Sequence, residues 1–435
     1  MAKILITVWP FRSHFFPFIA IAHELRQRGN EVAFYTIYSG ERARSAVEAE
    51  GFTFFDFNHA DESLIQQITA PKQPGSWRHP LRLQHVLRGW LLGTLPQQVE
   101  DMRAIIKEWQ PDVLLADTAM WGAFLVVHET EQIPVAVGST VASCMIPGPD
   151  VAPFGLGLPR PKDRKTRLVA WGARVVQDKL ASGIRREANR LRAEYGLPPL
   201  SMSPSAYAGQ MPLYLMPTTP EFDYARTDLP PSVQYVGPCV YNKPRDEPPP
   251  AWLAQLPRDR PWVHVTEGTM HRQKPFVLRA AAEGLADLQM QVIMTSGGNR
   301  QPADLDLGPL ASNICLEAWV PHSDLMPLTD VVVTTGGAGT VMTTLSAGVP
   351  LIVVPTEWDK AENAQRVVEA GAGLRIPPRQ CTPAKLRAAV ERVLAEPSFR
   401  ENARRLSEIF ASYSGPARAA ELVEQLSMRE PTVAV

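Results

Sequence analysis

Along the N-terminal half of the chain, short unbroken apolar runs alternate with longer segments whose apolar positions recur at helical spacing. Lys3 to Val8 reads as a buried strand. After a six-residue loop, Phe15 to Arg28 has the spacing of a helix face, with Pro17 near its first turn and Gly29 as its stop. Val32 to Thr36 predicts the next strand, Glu41 to Glu50 a helix ended by Gly51, and Phe52 to Phe57 a third strand. Pro80 to Trp109 is helical in pattern and interrupted at Pro96. Val113 to Ala116 is a short strand running into Asp117, and another strand ends near Gly138. Leu168 to Tyr195 is a helix with alternating charges, and Pro212 to Met216 and Val233 to Val236 are short strands. Alternation of this kind predicts a parallel sheet wound with helices.

The stretch from Asn242 to Pro250 is polar and proline-rich, a semi-rigid linker, and the same rhythm resumes after it. Trp262–Thr266, Gln291–Thr295, Ile314–Leu316, Val331–Thr335 and Leu351–Val354 predict strands. Phe276–Leu288, Val341–Ala347 and Ala361–Ala370 predict the helices between them. Ala384–Leu394, Glu401–Tyr413 and Ala417–Met428 read as closing helices before a loose tail from Arg429. The fold class expected is α/β, two Rossmann-like doubly wound domains facing across a cleft. The first spans 1–240, a linker 241–251, the second 252–410, and a C-terminal helix and tail 411–435.

Composition narrows the partners. Apolar residues make up 45% of the chain and charged residues 20%, enough for real cores. The formal net charge of -1 leaves no broad field to attract a polyanion, so no nucleic-acid partner is expected. Cys144, Cys239, Cys315 and Cys381 are scattered, with neither disulfide nor zinc spacing, and this points to a reducing cytoplasm. No run reaches the roughly 18 apolar residues of a membrane helix, and the apolar run at the N-terminus is too short for a signal segment. The histidines show no metal-ligand spacing, so no metal is assigned. Prolines, 41 in all, gather in loops such as Pro147 to Pro161 and suggest long structured connections around a pocket.

The sharpest local chemistry is at Val331 to Leu345. There a strand runs through Thr335-Gly336-Gly337-Ala338-Gly339-Thr340 into a helix. Main-chain N–H groups at a helix start attract anions, and glycines let a phosphate approach the backbone. The same glycines would also serve a plain tight turn, or a dinucleotide site with Asp359 as the ribose ligand. Against the dinucleotide reading, Met342 stands where the last glycine of that fingerprint belongs. His14 follows the first strand at the ligand-facing end of the sheet, where a neutral imidazole could deprotonate a hydroxyl. Asp117 also follows a strand. It could orient His14 through the ring's other nitrogen, or simply cap the helix that follows.

The longer string through Gly348-Val349-Pro350, Val354-Pro355, Asp359-Lys360, Asn363-Ala364 and Gly371-Ala372-Gly373 resembles the donor-binding signature of the GT-B-fold UDP-glycosyltransferase superfamily. It resembles especially the bacterial enzymes that glycosylate macrolides, enediynes and other natural products. The resemblance implies that Gly337, Gly339 and Thr340, with Thr335 and Gly336 beside them, cradle a diphosphate. It implies that Asp359 and Lys360 face the sugar hydroxyls, that Gly268 and Thr269 form a second phosphate-contacting turn, and that Trp319 and Val320 lie where the base packs. An aromatic face beside a phosphate site suits a flat base, although a tryptophan is as readily a core residue.

The resemblance places the general base at His14. It implies an inverting, metal-independent transfer with a nucleotide-sugar as co-substrate, no cofactor, and a small, largely apolar natural-product acceptor. A monomer or homodimer is expected. Two positions depart from the family: Thr335 stands where a histidine usually precedes the glycines, and Lys360 where a glutamine usually follows the aspartate. Glu267 beside a diphosphate would be repulsive unless it is turned away or paired. The alternatives that remain are a nucleotide-sugar-binding protein with impaired transfer and an NAD-dependent dehydrogenase.

Overall fold

The computed structural model describes residues 1–9, 12–37, 41–55, 88–140, 145–241, 248–269, 274–298 and 300–428. Most of the expected linker, the loop from Asp61 to Pro80, Cys144 and the tail from Arg429 lie outside the described residues.

Two parallel sheets form. The first contains β1 (Lys3–Thr7), β2 (Glu31–Tyr35), β3 (Thr53–Phe55), β4 (Val113–Asp117), β5 (Val135–Gly138), β6 (Leu213–Met216) and β7 (Val233–Tyr235), in the order β3-β2-β1-β4-β5-β6-β7. The second contains β8 (Trp262–Thr266), β9 (Gln291–Thr295), β10 (Ile314–Glu317), β11 (Val331–Thr334), β12 (Leu351–Val353) and β13 (Gly373–Arg375), in the order β10-β9-β8-β11-β12-β13. In each sheet the strand order reverses where the first strand meets the fourth. That point is where doubly wound sheets open a crevice at their carboxyl ends.

Side-chain alternation explains why the strands read as continuous apolar runs. Leu5, Tyr35, Leu114 and Ala116 bury one face of the first sheet, and Ile4, Ile6, Phe34 and Leu115 bury the other. Helices cover both faces, so neither set of positions can be polar.

Two boundaries differ from the periodicity. The first helix is Arg12–Gln27, so Pro17 lies inside it and His14 sits in its first turn; the polar opening residues carry no apolar repeat. Pro96 does not interrupt a helix but lies in the first turn of Leu95–Trp109, where a missing N–H costs nothing. Ahead of it, Arg88–Leu92 is a π-helical turn.

Among the described residues the chain leaves the first domain after β7 and returns to it with its last helix. Gly237, at φ 92°, lies against Tyr413, and Gly415 lies against the Pro238 carbonyl, so side chains at either glycine would separate the crossings. The last helix, Gly415–Ser427, returns to the first domain, where Ala419, Ala420, Val423 and Leu426 join the core around Ile4, Ile6 and Leu25. Glu424 there accepts from Arg28 at 2.9 Å and Asn30 at 3.0 Å.

A second tie runs through helix Lys360–Glu369. Arg366 donates to Asp223 of the first domain at 2.6 Å, with both side chains buried. The Arg366 guanidinium also lies 3.4 Å from Glu362 and over the Tyr224 ring. Glu362 accepts the backbone N–H groups of Gly155 at 3.1 Å and Gly157 at 2.7 Å. Gly157 has φ 55°, and a Cβ there would lie 2.5 Å from the Ala361 carbonyl oxygen. The proline-rich segment expected to border a pocket is thus docked on a helix of the other domain. Removing one partner of a buried ion pair strands the other charge, so Arg366→Met is expected to cost about 3–5 kcal/mol. This is measured as a lower guanidinium midpoint, and Asp223→Asn in the same chain should recover part of it.

Candidate functional site

β1 and β4 are neighbours with Thr7 opposite Ala116, and this register brings the segments that follow them together. His14 Nδ1 lies 2.6 Å from Asp117 Oδ2, with Asp117 fully buried and His14 20% exposed at its side chain. The same oxygen accepts the Trp9 N–H at 3.2 Å, while Oδ1 accepts the Ala119 N–H at 2.9 Å. Asp117 therefore both orients the histidine and caps the following turn, one oxygen for each task.

Burial works against a charge on His14, but the Asp117 carboxylate, by its charge and hydrogen bond, and Asp359, by its charge, outweigh it and raise the pKa above 6.5. Burial also works against the Asp117 charge. His14 and the two backbone N–H groups prevail, and its pKa falls below the usual carboxylate value. With Nδ1–H given to the carboxylate, the ring's lone pair is on Nε2. That is a base of enhanced strength.

In the second domain, β11 ends in the glycine turn. Gly336 has φ 90°, and a Cβ there would lie 2.6 Å from Val353 Cγ1, so only glycine fits. Gly337 and Gly339 would meet nothing within 4 Å. Gly337 begins helix Ala338–Ser346 with no capping side chain, leaving the amides of Ala338, Gly339 and Thr340 without intrahelical acceptors. β8, the strand beside β11, leads into Gly268 at φ 78°, again open around its Cα, followed by the half-buried Thr269.

Thr335 is buried and donates its hydroxyl to the Glu267 carbonyl at 2.9 Å, tying the two turns together. Glu267 points the other way: its carboxylate accepts the Val277 N–H at 2.8 Å, at the start of helix Phe276–Gly284, and Arg300 stands 3.9 Å off. Burial raises its pKa despite these partners. The repulsion expected from the sequence is avoided by orientation.

Asp359 precedes helix Lys360–Glu369. Its Oδ2 accepts from Asn363 Nδ2 at 2.8 Å, and the same amide donates to the Gly336 carbonyl at 2.9 Å. Burial raises the Asp359 pKa, opposed by Asn363, by the Lys360 charge and by the His14 charge. Lys360 is buried and donates to Thr356 at 3.0 Å. Asn363 belonged to the recognised string but not to the expected contacts; its place four residues after Asp359 on one helix face was the available signal.

Trp319 is 45% exposed, so it is no core residue, whereas the adjoining Val320 is buried. The indole stacks on His322 at 5.9 Å and 16°. Burial lowers the His322 pKa to about 4. The same effect, with the His322 charge, lowers that of His264 beneath it to about 3. Both rings are neutral near pH 7, which makes the Trp319 face a flat stacking surface without a cation.

His14 and Asp117 therefore meet in the first domain. The glycine turns, Thr335, Asp359 and Lys360 meet in the second, and Asp359 acts electrostatically on His14 between them. Among the described residues no group of three His, Cys, Asp or Glu side chains could hold a metal ion, and no helix is long and apolar enough to cross a membrane.

Residues 280–426 match the family model of the erythromycin biosynthesis protein CIII-like C-terminal domain. The 4'-demethylrebeccamycin synthase of Lentzea aerocolonigenes is 34% identical over 432 residues, covering 98% of this chain and 99% of that protein. Among solved structures, the calicheamicin glycosyltransferase CalG4 superposes with a TM-score of 0.74 at 24% identity, covering both chains fully (100% and 100%). The Streptomyces sp. SF2575 glycosyltransferase SsfS6, solved with thymidine diphosphate, has a TM-score of 0.67 at 22% identity over 98% of this chain and 100% of that one. The dehydrogenase reading of the glycine turn gives way to this kinship. With a relative of this identity along almost its whole length, the chain belongs to the GT-B-fold UDP-glycosyltransferase superfamily and is a glycosyltransferase of natural-product biosynthesis.

Proposed function

We propose that the enzyme moves a sugar from a UDP- or dTDP-linked donor to a hydroxyl of a small, largely apolar natural product, inverting the anomeric carbon without a metal ion. The observation that carries this reading is the His14–Asp117 pair, 2.6 Å apart, with the charge of Asp359 from the second domain acting on the same imidazole. The acceptor hydroxyl gives its proton to His14 Nε2, and its oxygen bonds to the anomeric carbon as the bond to the diphosphate oxygen breaks on the opposite face. Asp117 stabilises the imidazolium formed. The departing diphosphate is met by main-chain amides at Ala338, Gly339 and Thr340 and by the Lys360 charge. Trp319 stacks on the base, and Gly268 with Thr269 borders the phosphates. The thymidine diphosphate in the SsfS6 structure supports a dTDP donor among the candidates.

One observation favours a second reading, binding of a nucleotide-sugar without efficient turnover: the Thr335 hydroxyl is given to the Glu267 carbonyl instead of the cleft. A thermal-shift screen with UDP-, dTDP- and GDP-sugars, followed by donor-hydrolysis and transfer assays, separates the two. Binding with neither reaction supports the second reading.

Replacing His14 by alanine is expected to lower kcat by about 10²–10⁴-fold with nucleoside diphosphate affinity unchanged by calorimetry. Full transfer by that variant would remove His14 as the base. The pH profile follows from the raised pKa. His14 accepts a proton only when neutral, so activity is lost as pH falls through a value above 6.5. Asp117→Asn removes the group that raises it, so the acidic limb of kcat/KM should move to lower pH while the maximal rate drops.

A further inference from the structure

Trp358 has φ 60°, a left-handed backbone that bulky side chains rarely adopt. A glycine would take that conformation freely, so something must hold a tryptophan there. Its surroundings supply the answer. Although Trp358 belongs to the second domain, its ring packs against the hydrophobic core of the first. It meets Trp90 edge-on at 4.9 Å and 87°, and Trp90 meets Trp9 at 4.8 Å and 51°. Trp90 and Trp9 are both buried, and Trp90 sits on the π-helical turn Arg88–Leu92, a local geometry frequent at functional sites. Both ends of this three-ring ladder lead into the reaction centre. The Trp9 backbone N–H holds Asp117 Oδ2, the oxygen that holds His14, and Trp358 is covalently joined to Asp359.

We propose that Trp358 is a positioning residue: its ring, seated on Trp90 and through it on Trp9, fixes the Asp359 carboxylate opposite the His14–Asp117 pair across the domain cleft. The proposal rests on the reading of His14 as base and Asp359 as sugar contact. T-shaped aromatic contacts are directional, so the ladder sets distance as well as adhesion. The charges that bear on His14 come from Asp117 after β4 and Asp359 from the second domain; Lys360 and Asn363 act in turn on Asp359. Moving Asp359 outward removes one of the two charges that raise the His14 pKa.

The test uses the full-length enzyme with Trp358→Ala, Trp358→Gly and Trp358→Phe, followed by transfer kinetics and by NMR titration of the His14 ring. Trp358→Ala and Trp358→Gly should each lose about 10–100-fold in kcat, the scale of a small misplacement of reacting groups, with the affinity for UDP or dTDP little changed. Both should show a lower His14 pKa, and Trp358→Phe should restore most of the rate and the pKa. A Trp358→Gly enzyme with wild-type kcat and an unmoved His14 titration overturns the proposal, because then only the backbone turn matters. If the alanine and glycine variants do not fold, Trp90→Leu and Trp358→Leu, which keep apolar bulk but remove the ring, take their place. Non-additive effects in the double variant support the ladder, and additive ones refute it. A wild-type enzyme that transfers no sugar sinks the base assignment, yet the His14 titration still reads the coupling.

Discussion

The buried contact between Arg366 and Asp223 sets where the two halves of this enzyme stand. It joins a helix of the second domain to the first domain at 2.6 Å, with Glu362 and the amides of Gly155 and Gly157 filling out the junction. A buried ion pair is costly to desolvate and tolerates little displacement once its hydrogen bonds are made. The helix it holds begins right after Asp359, so anchoring its body aims its start. Asp359 is thereby carried to where its charge reaches His14, and the glycine turn follows through Asn363, which bonds both.

The site that results relies on orientation more than on charge. Glu267, a carboxylate beside the two glycine turns, is directed into the start of helix Phe276–Gly284, and the Thr335 hydroxyl braces the two turns against each other. His264 and His322 are kept neutral by burial and support the Trp319 face. One histidine has the opposite treatment. The charges of a carboxylate from each domain, Asp117 and Asp359, act on His14, and its proton affinity is raised.

Much of this was legible in the sequence because it is local. Apolar runs bounded by glycines and prolines mark nearly every strand, and the string from Gly336 to Asn363 carries its meaning within one β-α-β unit. β13 escaped because Gly373-Leu374-Arg375 offers one apolar side chain and too few residues for any period. Its existence depends on pairing with β12. The Arg366–Asp223 contact joins positions 143 residues apart, and the Trp9–Trp90–Trp358 ladder draws on three separate segments. No periodicity encodes such meetings. The two oxygens of Asp117 show a subtler limit: the sequence posed orienting and capping as alternatives, and geometry permits both.

The proposed reaction requires a nucleoside diphosphate to lie against the glycine turn, facing His14. Calorimetric titration of UDP and dTDP into the wild-type enzyme and into Gly337→Val tests it most directly. Gly337 has ordinary extended dihedrals and open space around its Cα, so valine should fold there and project into the diphosphate's place. One of the two nucleotides is expected to bind the wild-type enzyme, and to bind the variant about tenfold or more weakly, with the melting temperature unchanged. Equal affinity in the two proteins would contradict it.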